Sequence, residues 1–235
     1  MFERHRMPLS LVLLASSGCA LAGLPTAYEI DPTGSTVEIA SRDSLRPFEA
    51  STHNIAGNLL LTSNAVTPRS LDLVFDLAAL DSGDNSLNQL LLSSKYLWVE
   101  HHRYGLTLAP DVSATGVGAF LAHTTLALRD VSCQVPVAFK WRFADEGGAR
   151  VAYLQGSTEV SARDFGIQSA EPWERRLTVT YDLRLLPASG KVESVTRFGP
   201  DVVPEDYPPA RCSSAAWTVG AARSPEAVRK AEQGG

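Results

Sequence analysis

The sequence has few cysteines (3) and few methionines (2) among its 235 residues, and no surplus of basic charge. It also lacks any apolar run approaching the roughly 20 residues of a membrane-spanning helix, so no membrane span is expected. Each absence removes a class of protein. Three cysteines cannot knot a miniprotein, and without a Cys-x-x-Cys pair a dithiol redox motif and a zinc ribbon are ruled out. Basic residues (21) are outnumbered by acidic ones (26), for a net charge of −5, so counterion release from a phosphate backbone has no basic surface behind it. No nucleic-acid partner is expected. No Gly-x-Ser-x-Gly elbow is present, and Gly116-Val117-Gly118 lacks the third glycine and the following helix of a dinucleotide loop. What remains, 44% apolar and 20% charged, suits an ordinary globular chain of one large domain or two small ones.

Residues 1–22 have the three-part build of an export signal: Arg4 and Arg6, an apolar stretch from Leu9 to Ala15, and small residues ending Ala20-Leu21-Ala22. The mature protein is accordingly expected in the periplasm. Ser16-Ser17-Gly18-Cys19 offers a second outcome, lipidation of Cys19 and retention as a membrane-anchored lipoprotein, and the two stay open. In either case Cys133 and Cys212 fold in an oxidising compartment. There a disulfide between them, tying the tail back across the domain, competes with the plainer reading of two buried thiols. The chain changes character at Pro187: six of the 14 prolines lie from there on, its acids and bases balance at six each, and alternating apolar residues stop. Residues 23–186 are therefore the expected folded domain, and 187–235 a proline-rich C-terminal extension.

Within the domain the leading signal is a period of two, the spacing at which side chains point to opposite faces of a strand. Leu71, Leu73, Phe75 and Leu77 alternate with Asp72, Val74, Asp76 and Ala78. Val135, Val137, Phe139, Trp141 and Phe143 do the same, as do Leu177, Val179, Tyr181, Leu183 and Leu185. Weaker alternation occurs at Val37 and Ile39, and over residues 55–61, 104–108, 120–128 and 151–160, giving about eight strands separated by turn residues. One helical stretch is visible, starting at Ser86 with Gln89 as a capping box and Leu87, Leu90 and Leu91 on one face. Without crossover helices the sheet is expected to be antiparallel, a barrel or a sandwich. A barrel of about eight strands either fills its lumen with side chains or leaves room for one ligand, and periodicity does not choose between them.

Taken in order, the motifs resemble the YceI-like family of exported bacterial proteins. The resemblance rests on Tyr28-Glu29-Ile30-Asp31 with Ser35-Thr36-Val37-Glu38-Ile39, on Ile55-Ala56-Gly57-Asn58-Leu59, and on Leu71 to Leu77 leading into Ala79-Leu80-Asp81-Ser82-Gly83. It continues through Leu92-Ser93-Ser94-Lys95-Tyr96-Leu97, His102-Arg103-Tyr104-Gly105-Leu106, Leu126-Ala127-Leu128-Arg129-Asp130-Val131 and Ser161-Ala162-Arg163-Asp164-Phe165-Gly166-Ile167. It implies an all-β fold, an extended antiparallel eight-stranded lipocalin-like barrel with one short amphipathic helix, whose apolar interior holds a long polyisoprenoid. It implies a binding protein rather than an enzyme. The chain departs from the family at Asn85-Ser86-Leu87-Asn88, where charged residues are common, and at Asp130, where a glycine often turns the chain. Asp130 is expected to take that turn.

The expected ligand is thus an isoprenoid lipid, polyisoprenoid or quinone-type, with no cofactor. The candidate lining is Phe75, Leu77, Leu106, Leu108, Phe120, Leu126, Phe139, Trp141, Val179 and Tyr181, each with core packing as its competing role. Arg163, Asp164, Phe165 and Gly166 are expected to form a turn in which Gly166 supplies an unusual backbone angle and Phe165 plugs the barrel. No catalytic residue or metal ligand is expected. Glu100-His101-His102 is the densest polar cluster, yet neighbours on a strand point to opposite faces, and Asp72 and Asp76 fall on a face where water would solvate them. Two other readings stand beside the lipid carrier: a filled barrel serving as a structural or protein-interaction module, and a metal-dependent hydrolase. A homodimer is left open.

Overall fold

The computed structural model describes residues 26–41, 47–62, 67–110, 112–167 and 176–188. The expected signal segment with Cys19, and the extension beyond Ala188 with Cys212, lie outside the described residues.

Among the described residues eleven strands form one antiparallel sheet: β1 (Ala27–Ile30), β2 (Thr36–Ser41), β3 (Phe48–Thr52), β4 (Ile55–Leu61), β5 (Pro68–Asp76), β6 (Tyr104–Ala109), β7 (Val112–Gly116), β8 (Ala119–Leu128), β9 (Val131–Glu146), β10 (Ala149–Ser161) and β11 (Arg176–Pro187). Three pairs of strands are halves of one stave. β1 and β2 follow one another along β11, β3 and β4 continue along the far edge of that stave, and β6 and β7 both line β8. Eight staves result, and the barrel closes where Tyr28 to Ile30 pair with Leu185 to Pro187. The break between β1 and β2 is a 3-10 turn at Pro32–Gly34, where Pro32 has no N–H to offer a ladder and Asp31 accepts a hydrogen bond from the Thr33 backbone N–H.

Helix α1 (Asn85–Leu92) lies between β5 and β6, after a 3-10 turn at Leu77–Ala79. Its cap is Asp84, whose carboxylate accepts from the Ser86 and Leu87 N–H groups, so the expected Ser86–Gln89 box is not formed. Asp84 does that work one residue ahead of Asn85 and leaves Ser86 inside the first turn. Leu87 and Leu91 pack on the core, while Leu90 stays 40% exposed.

Residues opposite one another in an antiparallel ladder share a face, so the register identifies the inner wall. Phe75 pairs with Ile55 and Gly105, Phe139 with Phe120 and Gly156, and Tyr181 with Gly156 and Val37. All of these large side chains are at most 2% exposed. The same register corrects two of the expected lining residues. Leu106 pairs with Val74 and Leu108 with Asp72, which puts both on the outer face. There Leu106 joins a small separate cluster with Val74 and Ala127, against which Tyr104 packs. The inner positions of β6 are Gly105, Thr107 and Ala109. A Cβ at position 105 would lie 2.4 Å from the Phe75 ring, so the bulky ring on β5 selects the missing side chain on β6.

Candidate functional site

The inner wall carries an aromatic chain. Tyr28 lies 5.8 Å from Phe143, Phe143 4.8 Å from Trp141, Trp141 6.3 Å from Phe120, Phe120 5.1 Å from Phe139, and Phe139 5.8 Å from Tyr181. Phe120 and Phe139 stack and Trp141 meets Phe120 edge-on, arrangements that add about 0.5–1.5 kcal/mol per pair beyond area burial. Leu126 and Val179 stand on the same wall, and Leu77 joins its core from the turn after β5. Of the ten expected lining residues, eight are therefore brought together and two, Leu106 and Leu108, are not.

Hydroxyls sit in this apolar interior: those of Thr124 and Thr158 donate to backbone carbonyls, and those of Thr107, Tyr181 and Tyr28 face the lumen. The Tyr181 hydroxyl lies 2.9 Å from that of Thr107, and burial pushes its pKa well above the ordinary tyrosine value. The Tyr28 hydroxyl is buried without a hydrogen-bond partner, and burial again raises its pKa, with nearby Arg150 opposing. An unpaired buried hydroxyl costs about 1–3 kcal/mol.

Where β2, β3, β11, α1 and the Ala162–Phe165 turn converge, the wall opens into an apolar pocket of about 380 Å³, counting space open to solvent. It is lined by Ile39, Phe48, Ala50, Leu80, Leu91, Tyr96, Leu97, Ala162, Ile167 and Leu177. None of the ten expected lining residues is among these. Half of them come from short or irregular segments, Leu80, Tyr96, Leu97, Ala162 and Ile167, whose apolar side chains show no period that would mark them in sequence. The available signal was the family-like motif around Leu97 and Ile167.

The rim of this end is polar and tightly tied. Asp76, only 1% exposed, caps the Leu77–Ala79 turn through the Ala78 N–H, accepts from Asn54 at 2.9 Å and pairs with Arg103 at 2.9 Å. It was expected to be solvated; a cap, an amide and a guanidinium hold it in place of water. Asp72 is half-buried, and burial pushes its carboxyl above the usual range. At the β8–β9 turn the left-handed residue is Arg129 (φ 59°), not Asp130. The turn places the Arg129 guanidinium 5.6 Å from the Trp98 ring and on the Gly166 carbonyl, so one side chain links three segments. His101 and His102 pack edge-on against Trp98 at 4.6 and 5.6 Å, and burial pushes the His102 imidazole below its ordinary value. Gly166 takes φ 65° at the end of the Ala162–Phe165 turn, Phe165 is fully buried in the core, Arg163 is exposed and Asp164 half-buried.

Among the described residues no three His, Cys, Asp or Glu side chains stand close enough to hold a metal ion, and no helix is long and apolar enough to cross a membrane. Cys133 points inward opposite Leu126, is buried and is disulfide-bonded; its expected partner, Cys212, lies outside the described residues.

A family model for the YceI-like domain matches residues 28–185. Solved structures share the fold at low identity. BcnA of Burkholderia cenocepacia is 15% identical over 66% of this chain and 98% of its own, with a TM-score of 0.56. The Campylobacter jejuni YceI protein is 9% identical over 57% and 81%, at 0.53. A polyisoprenoid binding domain from Saccharophagus degradans, implicated in plant cell wall breakdown, is 12% identical over 70% and 99%, at 0.51. No curated protein matches the chain. A matched region that takes in every strand but the first and last residues of the barrel, with the closed eight-stave architecture behind it, places this chain in the YceI family.

Proposed function

We propose that the protein is an exported binding protein that takes a long apolar isoprenoid, a polyisoprenoid or quinone-type lipid, into its barrel for carriage or storage, and that it is not an enzyme. The carrying observation is the apolar pocket under α1, continuous with an inner wall that offers aromatic and aliphatic side chains and few polar atoms. The name of the Saccharophagus degradans domain, a polyisoprenoid binder of the same fold, supports the ligand class. Burying one isoprene unit gains on the order of 2–4 kcal/mol at about 0.8 per methylene-sized group, so a few units suffice without polar specificity. In this reading the periplasm is the site of action, through cleavage after Ala22 or anchoring at Cys19, and a Cys133–Cys212 disulfide ties the extension to the inner wall.

The test is uptake of a polyprenol from vesicles by delipidated protein. One chain per protein is expected, and Ala50→Phe, which fills the pocket, should abolish uptake in a folded variant; undiminished uptake would place the ligand elsewhere. One observation favours a second reading, a filled barrel serving as an interaction module: the large side chains of the mid-lumen are at most 2% exposed. A protein that stays lipid-free under every loading condition would select it.

A further inference from the structure

Thr107 on β6 and Tyr181 on β11 stand four staves apart in either direction around an eight-stave barrel, which makes them diametrically opposed. Their hydroxyls nonetheless lie 2.9 Å apart, and neither residue is exposed. The tyrosine therefore crosses the whole lumen. The Phe139 ring lies 5.8 Å from it and stacks on Phe120, while Gly156 supplies the room: a Cβ there would lie 2.4 Å from the Phe139 ring. At this level the barrel is shut. The pocket under α1 lies on one side of the closure, towards Leu177, and Trp141 and Phe143 lie on the other. The 380 Å³ includes open solvent, and the enclosed part has room for about one water molecule, so any chain that enters must widen the pocket by moving side chains.

Resting on the lipid-binding reading, we infer that the Tyr181–Thr107 hydrogen bond is a bolt that sets chain-length selectivity. A short isoprenoid seats by widening the α1 pocket alone, with the bolt closed. A long one must swing Tyr181 away from Thr107 to reach the lower lumen. The closure is suited to this because it is a single neutral hydrogen bond between hydroxyls, not an ion pair, and the apolar burial of each added isoprene unit outweighs it. Tyr181 is a positioning residue here, whose hydroxyl acts on the lumen and not on the ligand.

The experiment compares farnesol and solanesol binding to the full-length protein and to Tyr181→Phe, which deletes the hydroxyl and keeps the ring. The variant should favour solanesol over farnesol more than the wild type does, by about two- to tenfold, the range of one neutral hydrogen bond. Thr107→Val removes the other half of the bolt and should shift the preference the same way, so the inference stays testable if one variant does not fold. Wild-type uptake with an unchanged farnesol-to-solanesol ratio in the folded variants, or weaker solanesol binding, overturns the inference alone. No uptake of either chain by the wild type overturns the lipid-binding reading and the inference with it.

Discussion

The two ends of the barrel are built from similar residues to different ends. From the Tyr181 level downwards the wall carries packed rings, Phe120 stacked on Phe139 and Trp141 against Phe143, each held by a ladder partner that fixes its height. At the α1 end the side chains are as apolar, yet they come from a helix, the loops at Leu80 and Leu97, the Ala162–Phe165 turn and three strands, and they meet around a small gap. Most side chains are buried at both ends, the α1-end lining mostly below 5% exposed and Trp141 and Phe143 partly buried, so the ends differ in what holds them: ladder partners fix the rings, whereas capping and ion pairs tie the irregular segments. The proposed entry for a ligand thus lies at the end where most of the lining side chains have no ladder partner.

Substitutions can break that comparison. The largest effect is expected at the filled end: Phe139→Ala should cost about 3–5 kcal/mol in urea denaturation, against about 2 kcal/mol for Leu97→Ala, where the pocket already interrupts the packing. Equal losses at the two sites would erase the distinction. Next comes the rim, where Asp76→Ala deprives Asn54, the Ala78 N–H and Arg103 of their common acceptor; a loss of about 2–3 kcal/mol is expected by thermal denaturation. Tyr28→Phe runs the other way, removing an unpaired buried hydroxyl from the filled end, and should raise stability of the lipid-free protein by about 1 kcal/mol, read as an increase in Tm.

The smallest effect is electrostatic and sits on the outer surface of the filled end. Arg184 bonds both Asp31 and Glu146, and Tyr153 donates to Glu146. Asp31 is held below the usual carboxylate range chiefly by its hydrogen bond from Thr33, and Glu146 chiefly by that from Tyr153, with Arg184 adding to both. Folded pKa values below the unfolded ones mean that this contribution is complete above the ordinary carboxylate range and is lost as pH falls through the depressed values. Acid titration of stability should therefore show a steeper decline for the wild type than for Arg184→Gln, and parallel curves would remove the clamp from the account.

Much of the fold is legible in the sequence, and the places where it is not have physical causes. Phe139 and Tyr181 declare the inner face because their neighbours along the strand, Ala138, Lys140, Thr180 and Asp182, are polar or small. On β6 the signal inverts: Leu106 and Leu108 face outwards, one of them onto the Val74–Ala127 patch, while the inner positions are a glycine that clears the Phe75 ring and a threonine that meets Tyr181. Complementarity across the lumen overrides local alternation there, and no single strand carries that information. Asp76 misleads for a similar reason. Its alternation is that of a solvated face, but its partners, Asn54 and Arg103, are 22 and 27 residues away in sequence. The pocket is the least legible feature, since it exists only where β2, β3, β11, α1, the loops at Leu80 and Leu97 and the Ala162–Phe165 turn meet.

The measurement that tests the central claim most directly is native mass spectrometry, with organic extraction, of the exported protein purified without detergent. The account predicts a stoichiometric adduct that extracts as an isoprenoid lipid and that reappears when stripped protein is reloaded with a polyprenol. A clean mass of the protein alone, unchanged after reloading, would contradict it.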